Sequence, residues 1–126
     1  MDRNTRFTEE HEWLRIEDDG QITIGITDYA QQQLGDIVYV ELLQAGQILA
    51  PGDEAAVVES VKAAGEIKAP VGGEVAEVNE QLRTAPELVN RDPMGEGWFF
   101  RVSPEEGADL DGFMDEEAYK EFLKGL

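Results

Sequence analysis

Lys62 is one of only four lysines in this chain of 126 residues, and its surroundings set it apart. It stands in Glu59-Ser60-Val61-Lys62-Ala63-Ala64. Upstream lies Gly52-Asp53-Glu54-Ala55-Ala56-Val57-Val58; downstream lies Gly65-Glu66-Ile67-Lys68-Ala69-Pro70-Val71-Gly72-Gly73-Glu74-Val75. Two apolar-patterned runs joined by so short a connection predict a β-hairpin with Lys62 near its tip. A free lysine amine is cationic near neutral pH, and forming an amide removes that charge. A modifying enzyme needs the amine exposed and held at a fixed place, and a hairpin apex meets both needs. A single exposed lysine is ordinarily only a solvated charge. The scarcity of lysine and the small neighbours Ser60, Ala63 and Ala64 favour a carrier of a covalently attached group.

The other reactive side chains offer little. His11, in Glu9-Glu10-His11-Glu12-Trp13, is the only histidine, so a His-Glu-x-x-His zinc pair is excluded. The two serines, Ser60 and Ser103, do not lie in a Gly-x-Ser-x-Gly elbow, and a hydrolase would have to pair one of them with His11. Cysteine is absent, which excludes disulfides, thiolate nucleophiles and zinc thiolates; any sulfur chemistry must come from a cofactor. Asp109-Leu110-Asp111-Gly112 has the start of a calcium loop, but its glycine comes two positions early and no glutamate follows at the required distance. Charge at a helix start explains it better. Gly95-Glu96-Gly97 is one glycine short of a dinucleotide loop and leads into a strand.

Composition narrows the partners. A chain of this length makes one domain, 1–126, able to bury roughly two-thirds of its unfolded surface, and 41% hydrophobic residues suit a globular fold. With 28 acidic against 10 basic residues the net charge is −18. That argues against nucleic acid or an anionic membrane and suits both solubility and association with basic protein faces. Met1-Asp2-Arg3-Asn4-Thr5-Arg6 has no apolar stretch behind it, so neither a secretory signal nor a transit peptide is expected, and no run reaches membrane-spanning length. A cytoplasmic location is the expectation.

The elements that must hold Lys62 read mainly as strands. Phe7 to Ile16 carries apolar residues and ends at the turn Asp18-Asp19-Gly20. Gln21 to Ile26 alternates with period two. Thr27 is placed to cap a short helix through Leu34, with Gly35 just past its end. Asp36 to Leu42 is the strongest strand signal, rich in β-branched and aromatic residues. Glycines introduce further short strands at Gly46, Gly52 and Gly73, and Gly35-Asp36-Ile37-Val38 loosely echoes Gly73 to Val78, a possible internal duplication. Asn79 to Asn90 reads as a longer connection broken by Pro86, and Trp98 to Val102 as the last strand. From Asp109 to Gly125 the period changes: Met114, Ala118, Tyr119, Phe122 and Leu123 form one face of a helix, with acid at its start and Lys120 and Lys124 towards its end. The expected fold is a small sheet sandwich or flattened barrel with one early and one terminal helix.

Several segments resemble, in order, the glycine cleavage H-protein family. They are His11-Glu12-Trp13, Gly25 to Gln31, Leu34 to Leu42, Glu59 to Ala64 with Pro70 to Val75 and Val78-Asn79, and Gly95-Glu96-Gly97-Trp98; the resemblance runs from about Phe7 to Leu123. Departures are modest: Met94 where an aromatic is usual, Leu43-Gln44-Ala45 for a proline-containing stretch, and Ala69 and Gly72 where serines are common. None touches Lys62. The resemblance implies a mainly β barrel-sandwich hybrid of the lipoyl/biotinyl-carrier type, its lipoyl-binding core at about 21–103 and a C-terminal helical segment at about 109–125. It also implies lipoic acid in amide linkage to Lys62, on a monomeric, non-catalytic carrier subunit.

The partners so implied are a pyridoxal-phosphate glycine decarboxylase that loads an aminomethyl group onto a lipoyl sulfur, a tetrahydrofolate-dependent aminomethyltransferase, the FAD enzyme dihydrolipoyl dehydrogenase, and a lipoate-attaching enzyme. In this family the loaded arm folds back into a surface cleft; Glu12, and less directly Glu66, are the candidates to meet its amine. Competing readings are a lipoyl donor in lipoate distribution and a lipoyl domain of a 2-oxoacid dehydrogenase, which typically carries acid where Val61 stands. A biotin carrier, which flanks its lysine with methionines, is a third.

Overall fold

The computed structural model describes residues 5–104, 110 and 112–126. Among these residues, nine strands form two antiparallel sheets. The larger holds six strands in the order β1 (Thr5–Phe7), β2 (Glu12–Ile16), β3 (Ile22–Ile26), β9 (Phe100–Pro104), β8 (Gly73–Val78) and β5 (Ile48–Leu49). The smaller holds three, β4 (Ile37–Leu42), β6 (Glu54–Ser60) and β7 (Ala64–Lys68), with β6 central. Both sheets turn apolar faces inward, and one core, including Ile24, Ile26, Val58, Ile67, Val75, Phe99 and Val102, fills the space between them. This is the mainly β sandwich expected. Burying apolar faces against each other is what makes two small sheets stable together. The two segments read as a possible duplication lie in different sheets, as β4 and β8.

The early helix α1 (Asp28–Leu34) begins and ends where its caps dictate. The Thr27 hydroxyl accepts from the Ala30 backbone N–H, and Gly35 closes the helix at φ 83°. The connection from Asn79 to Asn90 is not plain loop: Gln81–Thr84 and Leu88–Arg91 form single helical turns, α2 and α3, on either side of Pro86. Their anchors Leu82 and Val89 are fully buried, so tertiary packing gives helical form to a stretch whose own pattern is too short to signal it. The last strand starts at Phe100, two residues later than the apolar run suggests, and extends to Pro104.

The terminal helix, α4, spans Glu116–Lys124. Asp115 is its N-cap, accepting from the Ala118 N–H, with Glu116 and Glu117 in the first turn and Lys124 in the last. Asp109 and Asp111, where the sequence suggested helix-start charge or a calcium loop, lie outside the described residues. A second apolar cluster, Phe7, Trp13 and Tyr119 with Met94, Trp98, Met114, Phe122 and Leu123 around it, seats α4 on the β1 edge. No helix among the described residues is long and apolar enough to cross a membrane.

Candidate functional site

Lys62 is exposed in the turn between β6 and β7, whose strands pair up to Glu59 and Ala64. The turn is latched by one hydroxyl. Ser60 Oγ accepts from the backbone N–H of Lys62 (3.1 Å) and of Ala63 (3.0 Å) and donates to the Ala63 carbonyl (3.1 Å). The Ser60 N–H donates to the same carbonyl at 2.8 Å. A serine at the first position of a turn can stand in for a backbone group in this way. The Val61 N–H is tied across to the Asp36 carbonyl at 3.0 Å, which joins the turn to the neighbouring loop.

That loop is fixed in its own right. Asn90 accepts from the Ile37 N–H (2.8 Å) and donates to the Gly35 carbonyl and to Gln31 Oε1 (both 2.9 Å), so one amide clamps α1, β4 and α3 together. The lysine stem lies over Gly35: a Cβ at that position would sit 2.9 Å from Lys62 Cε. The absence of a side chain at Gly35 thus leaves a shallow seat for the end of the lysine side chain, and Lys62 as a whole stays exposed. The site holds an amine on a turn fixed by backbone and hydroxyl hydrogen bonds, with the small residues Ser60, Ala63 and Ala64 around it.

A second feature lies at the far end of the same hairpin. Glu12, at the start of β2, is only 5% exposed, and its carboxylate crosses the seam between the sheets. Oε2 accepts from the Lys68 N–H on β7 at 3.1 Å, and Oε1 accepts from the Thr8 hydroxyl at 3.3 Å. Burial pushes the Glu12 carboxyl up from its ordinary 4.5 to about 7; the Lys68 backbone hydrogen bond opposes this, and the nearby Glu10 charge adds to it. The Lys68 charge also favours the ionised form, but burial outweighs it, so a positive charge brought into the seam would favour the carboxylate further. Glu66 is exposed on β7, two residues before Lys68 and paired with Val57.

A profile of the glycine cleavage H-protein family matches residues 5–126. The chain belongs to that family. It is 58% identical over 120 residues to the glycine cleavage system H protein of Rhodospirillum rubrum, covering 95% of each chain. It is 56% identical over 122 residues to that of Parvibaculum lavamentivorans, covering 96% of each. The crystal structure of a glycine cleavage system H protein from Mycobacterium marinum superposes with a TM-score of 0.86 at 31% identity, over 98% of both chains.

The H-protein fold sorts the residues singled out in the sequence. Lys62 and Glu12 both sit along the β6–β7 hairpin, one at its tip and one at its base, with Glu66 between them on the exposed side. His11 is engaged elsewhere: its Nδ1 lies 2.8 Å from the Tyr119 hydroxyl, while the Ser60 hydroxyl is committed to its turn. No nucleophile–histidine pairing of the kind a hydrolase needs is formed by these two. Among the described residues no group of three His, Cys, Asp or Glu side chains could hold a metal ion. Sequence reasoning missed Ser60 as the latch and Asn90 as the clamp. The first had a local signal, a serine at the head of a turn. The second had none, because its partners are more than fifty residues away.

Proposed function

We propose that this chain is the lipoyl carrier of the glycine cleavage system, with lipoic acid attached through an amide to Lys62. The observation that carries this reading is the exposed Lys62 side chain on a latched hairpin turn, in a chain matched to the H-protein family along nearly its whole length. A lipoyl group there supplies a ring disulfide that carries an aminomethyl group between enzymes and is reoxidised by thiol–disulfide exchange. The protein's own contribution is presentation. Ser60 and the Asp36 carbonyl fix the turn, the end of the lysine side chain lies over Gly35, and the residue is exposed to a modifying enzyme.

The buried Glu12 supplies the second contribution. A carboxylate in the seam stabilises a cationic amine delivered to it far better than one in open water does, because the local dielectric is low. Exposed Glu66 lines the approach along β7. The chain is a non-catalytic subunit, working with a pyridoxal-phosphate glycine decarboxylase, a tetrahydrofolate-dependent aminomethyltransferase, dihydrolipoyl dehydrogenase and a lipoate-attaching enzyme. The acidic surface, −18 overall, favours partners that present basic faces. It acts as a monomer in the cytoplasm.

Intact mass of protein made with and without lipoate tests the attachment. Lys62→Arg is expected to keep the fold, lose the mass increment and abolish glycine–bicarbonate exchange with purified decarboxylase. Exchange retained by that variant would overturn the reading.

A further inference from the structure

The backbone at His11 is unusual. Its φ is 68°, the only positive value at a non-glycine residue among the described positions. A side chain in that region costs free energy and persists only where its surroundings impose it. Here the turn is closed by the Thr8 N–H to the Glu12 carbonyl (2.9 Å) and the His11 N–H to the Thr8 carbonyl (3.1 Å), while the His11 carbonyl accepts from the Thr27 N–H (2.9 Å). These bonds define a tight turn from Thr8 to Glu12. They do not by themselves fix the imidazole.

The imidazole is fixed by the terminal helix. The Tyr119 hydroxyl lies 2.8 Å from His11 Nδ1 and 2.8 Å from Thr27 Oγ1. One hydroxyl therefore bridges two hydrogen-bonding partners. Tyr119 is 5% exposed and its ring stacks on Phe7 at 4.6 Å, so the hydroxyl has little freedom to leave. Tyr29 of α1 also packs against the imidazole, with ring centroids 4.5 Å apart. The sequence assigned Tyr119 only to the packing face of a helix; packing accounts for its ring but not for its hydroxyl.

We propose that Tyr119 is a positioning residue for Glu12: through the His11 imidazole, the terminal helix holds the Thr8–Glu12 turn in its left-handed shape and so keeps the Glu12 carboxylate in the seam against β7. The consequence is that α4, remote in sequence from the attachment turn, governs the acid that meets the loaded arm. This rests on the reading of Glu12 given above. The charged and titratable groups facing the assembly are Glu10 on the turn itself, Lys68 on β7, Tyr29 on α1 and Tyr119 on α4.

Tyr119→Phe tests this on the unlipoylated full chain, because it keeps the stacked ring and removes both hydrogen bonds. With the side-chain carboxyl of Glu12 followed by NMR, its titration midpoint is expected to fall by about half a pH unit or more towards the ordinary value as water reaches the seam. Exchange of the Lys68 amide, which donates to that carboxylate, is expected to rise about tenfold as the local opening becomes easier. His11→Ala, which keeps a side chain on the left-handed backbone but loses the imidazole link to Tyr119, is expected to shift Glu12 equally. The double variant should add nothing, since both act through one link.

Lys124→Ala breaks the exposed ion pair to Glu121 at the end of the same helix, leaves the packing of Tyr119 intact, and should leave the midpoint where it is. An unmoved midpoint in Tyr119→Phe, an equal shift in Lys124→Ala, or additive shifts in the double variant would each overturn the proposal. The lipoyl reading fails separately, through the mass of the protein at Lys62. If both hold, lipoylated Tyr119→Phe should be modified at the normal rate yet lose its loaded aminomethyl group several-fold faster.

Discussion

Replacing Glu12 by glutamine should stabilise the protein at neutral and alkaline pH while weakening its hold on a cationic arm. The reasoning starts from burial. In the folded protein the carboxyl titrates at about 7 instead of 4.5, so the native state holds its proton more tightly than the unfolded chain does. The sign follows. Below the unfolded value both states are protonated and the stabilisation from protonation is fully present; as pH rises through the folded value it is lost. The whole effect is about 3.5 kcal/mol, at about 1.4 kcal/mol for each pH unit separating the two values. Roughly 2.5 kcal/mol of it falls between about pH 5 and about pH 8.

Glutamine has no charge to lose. The difference in unfolding free energy between Glu12→Gln and the native chain should therefore grow by that amount over the same window and then level off. Urea unfolding of both proteins at a series of pH values measures it, and taking the difference removes the general repulsion of a chain at −18, which is the same for both apart from this one charge. A difference that stays flat from pH 5 to pH 8 would refute the argument, since it would mean that the acid is hydrated or already paired. In lipoylated protein the same variant should lose its loaded aminomethyl group faster.

Other outcomes follow from the geometry of the hairpin and its base. Ser60→Ala removes three hydrogen bonds from an exposed turn and should cost about 1–2 kcal/mol, but its larger effect should be a several-fold fall in the rate of lipoate attachment, read by mass over time. Asn90→Ala leaves the Ile37 N–H and the Gly35 carbonyl without their partner and should cost about 2–4 kcal/mol in chemical denaturation, with Asn90→Asp recovering only the Ile37 bond. Gly73→Ala should be among the most damaging single changes in the chain. Its φ of 152° disfavours a side chain, and a Cβ there would overlap the Ser103 carbonyl oxygen across the β8–β9 pair, so a loss of at least about 3 kcal/mol or failure to fold is expected in thermal melts.

Much of this molecule was legible as pattern. The run Ile22–Ile26 was legible as a strand, although both of its faces are buried where its alternation suggested one; Thr27 and Gly35 marked both ends of α1, and the change to a period near 3.6 marked the terminal helix. Lys62 in its short connection stood out from residue type and spacing alone. These are local properties, set by backbone preference and by which side of an element faces water, so a sequence window of ten residues contains them. The helical turns after Asn79 were not legible, because Leu82 and Val89 take helical form only once the core they plug exists.

The same limit applies more sharply to the site. Sequence order alone could name Glu12 only through its motif, and nothing in Glu10-His11-Glu12 says that the carboxylate is buried against the Lys68 amide of the other sheet. Nor does the helical face containing Tyr119 say that its hydroxyl ends on His11 and Thr27, 108 and 92 residues away. Charge state and hydrogen-bond partners depend on what the fold removes from water and brings within about 3 Å, and those are long-range facts. The chain's order determined where an amine is offered; only the closing of one sheet over the other decided which acid waits in the seam and what holds it there.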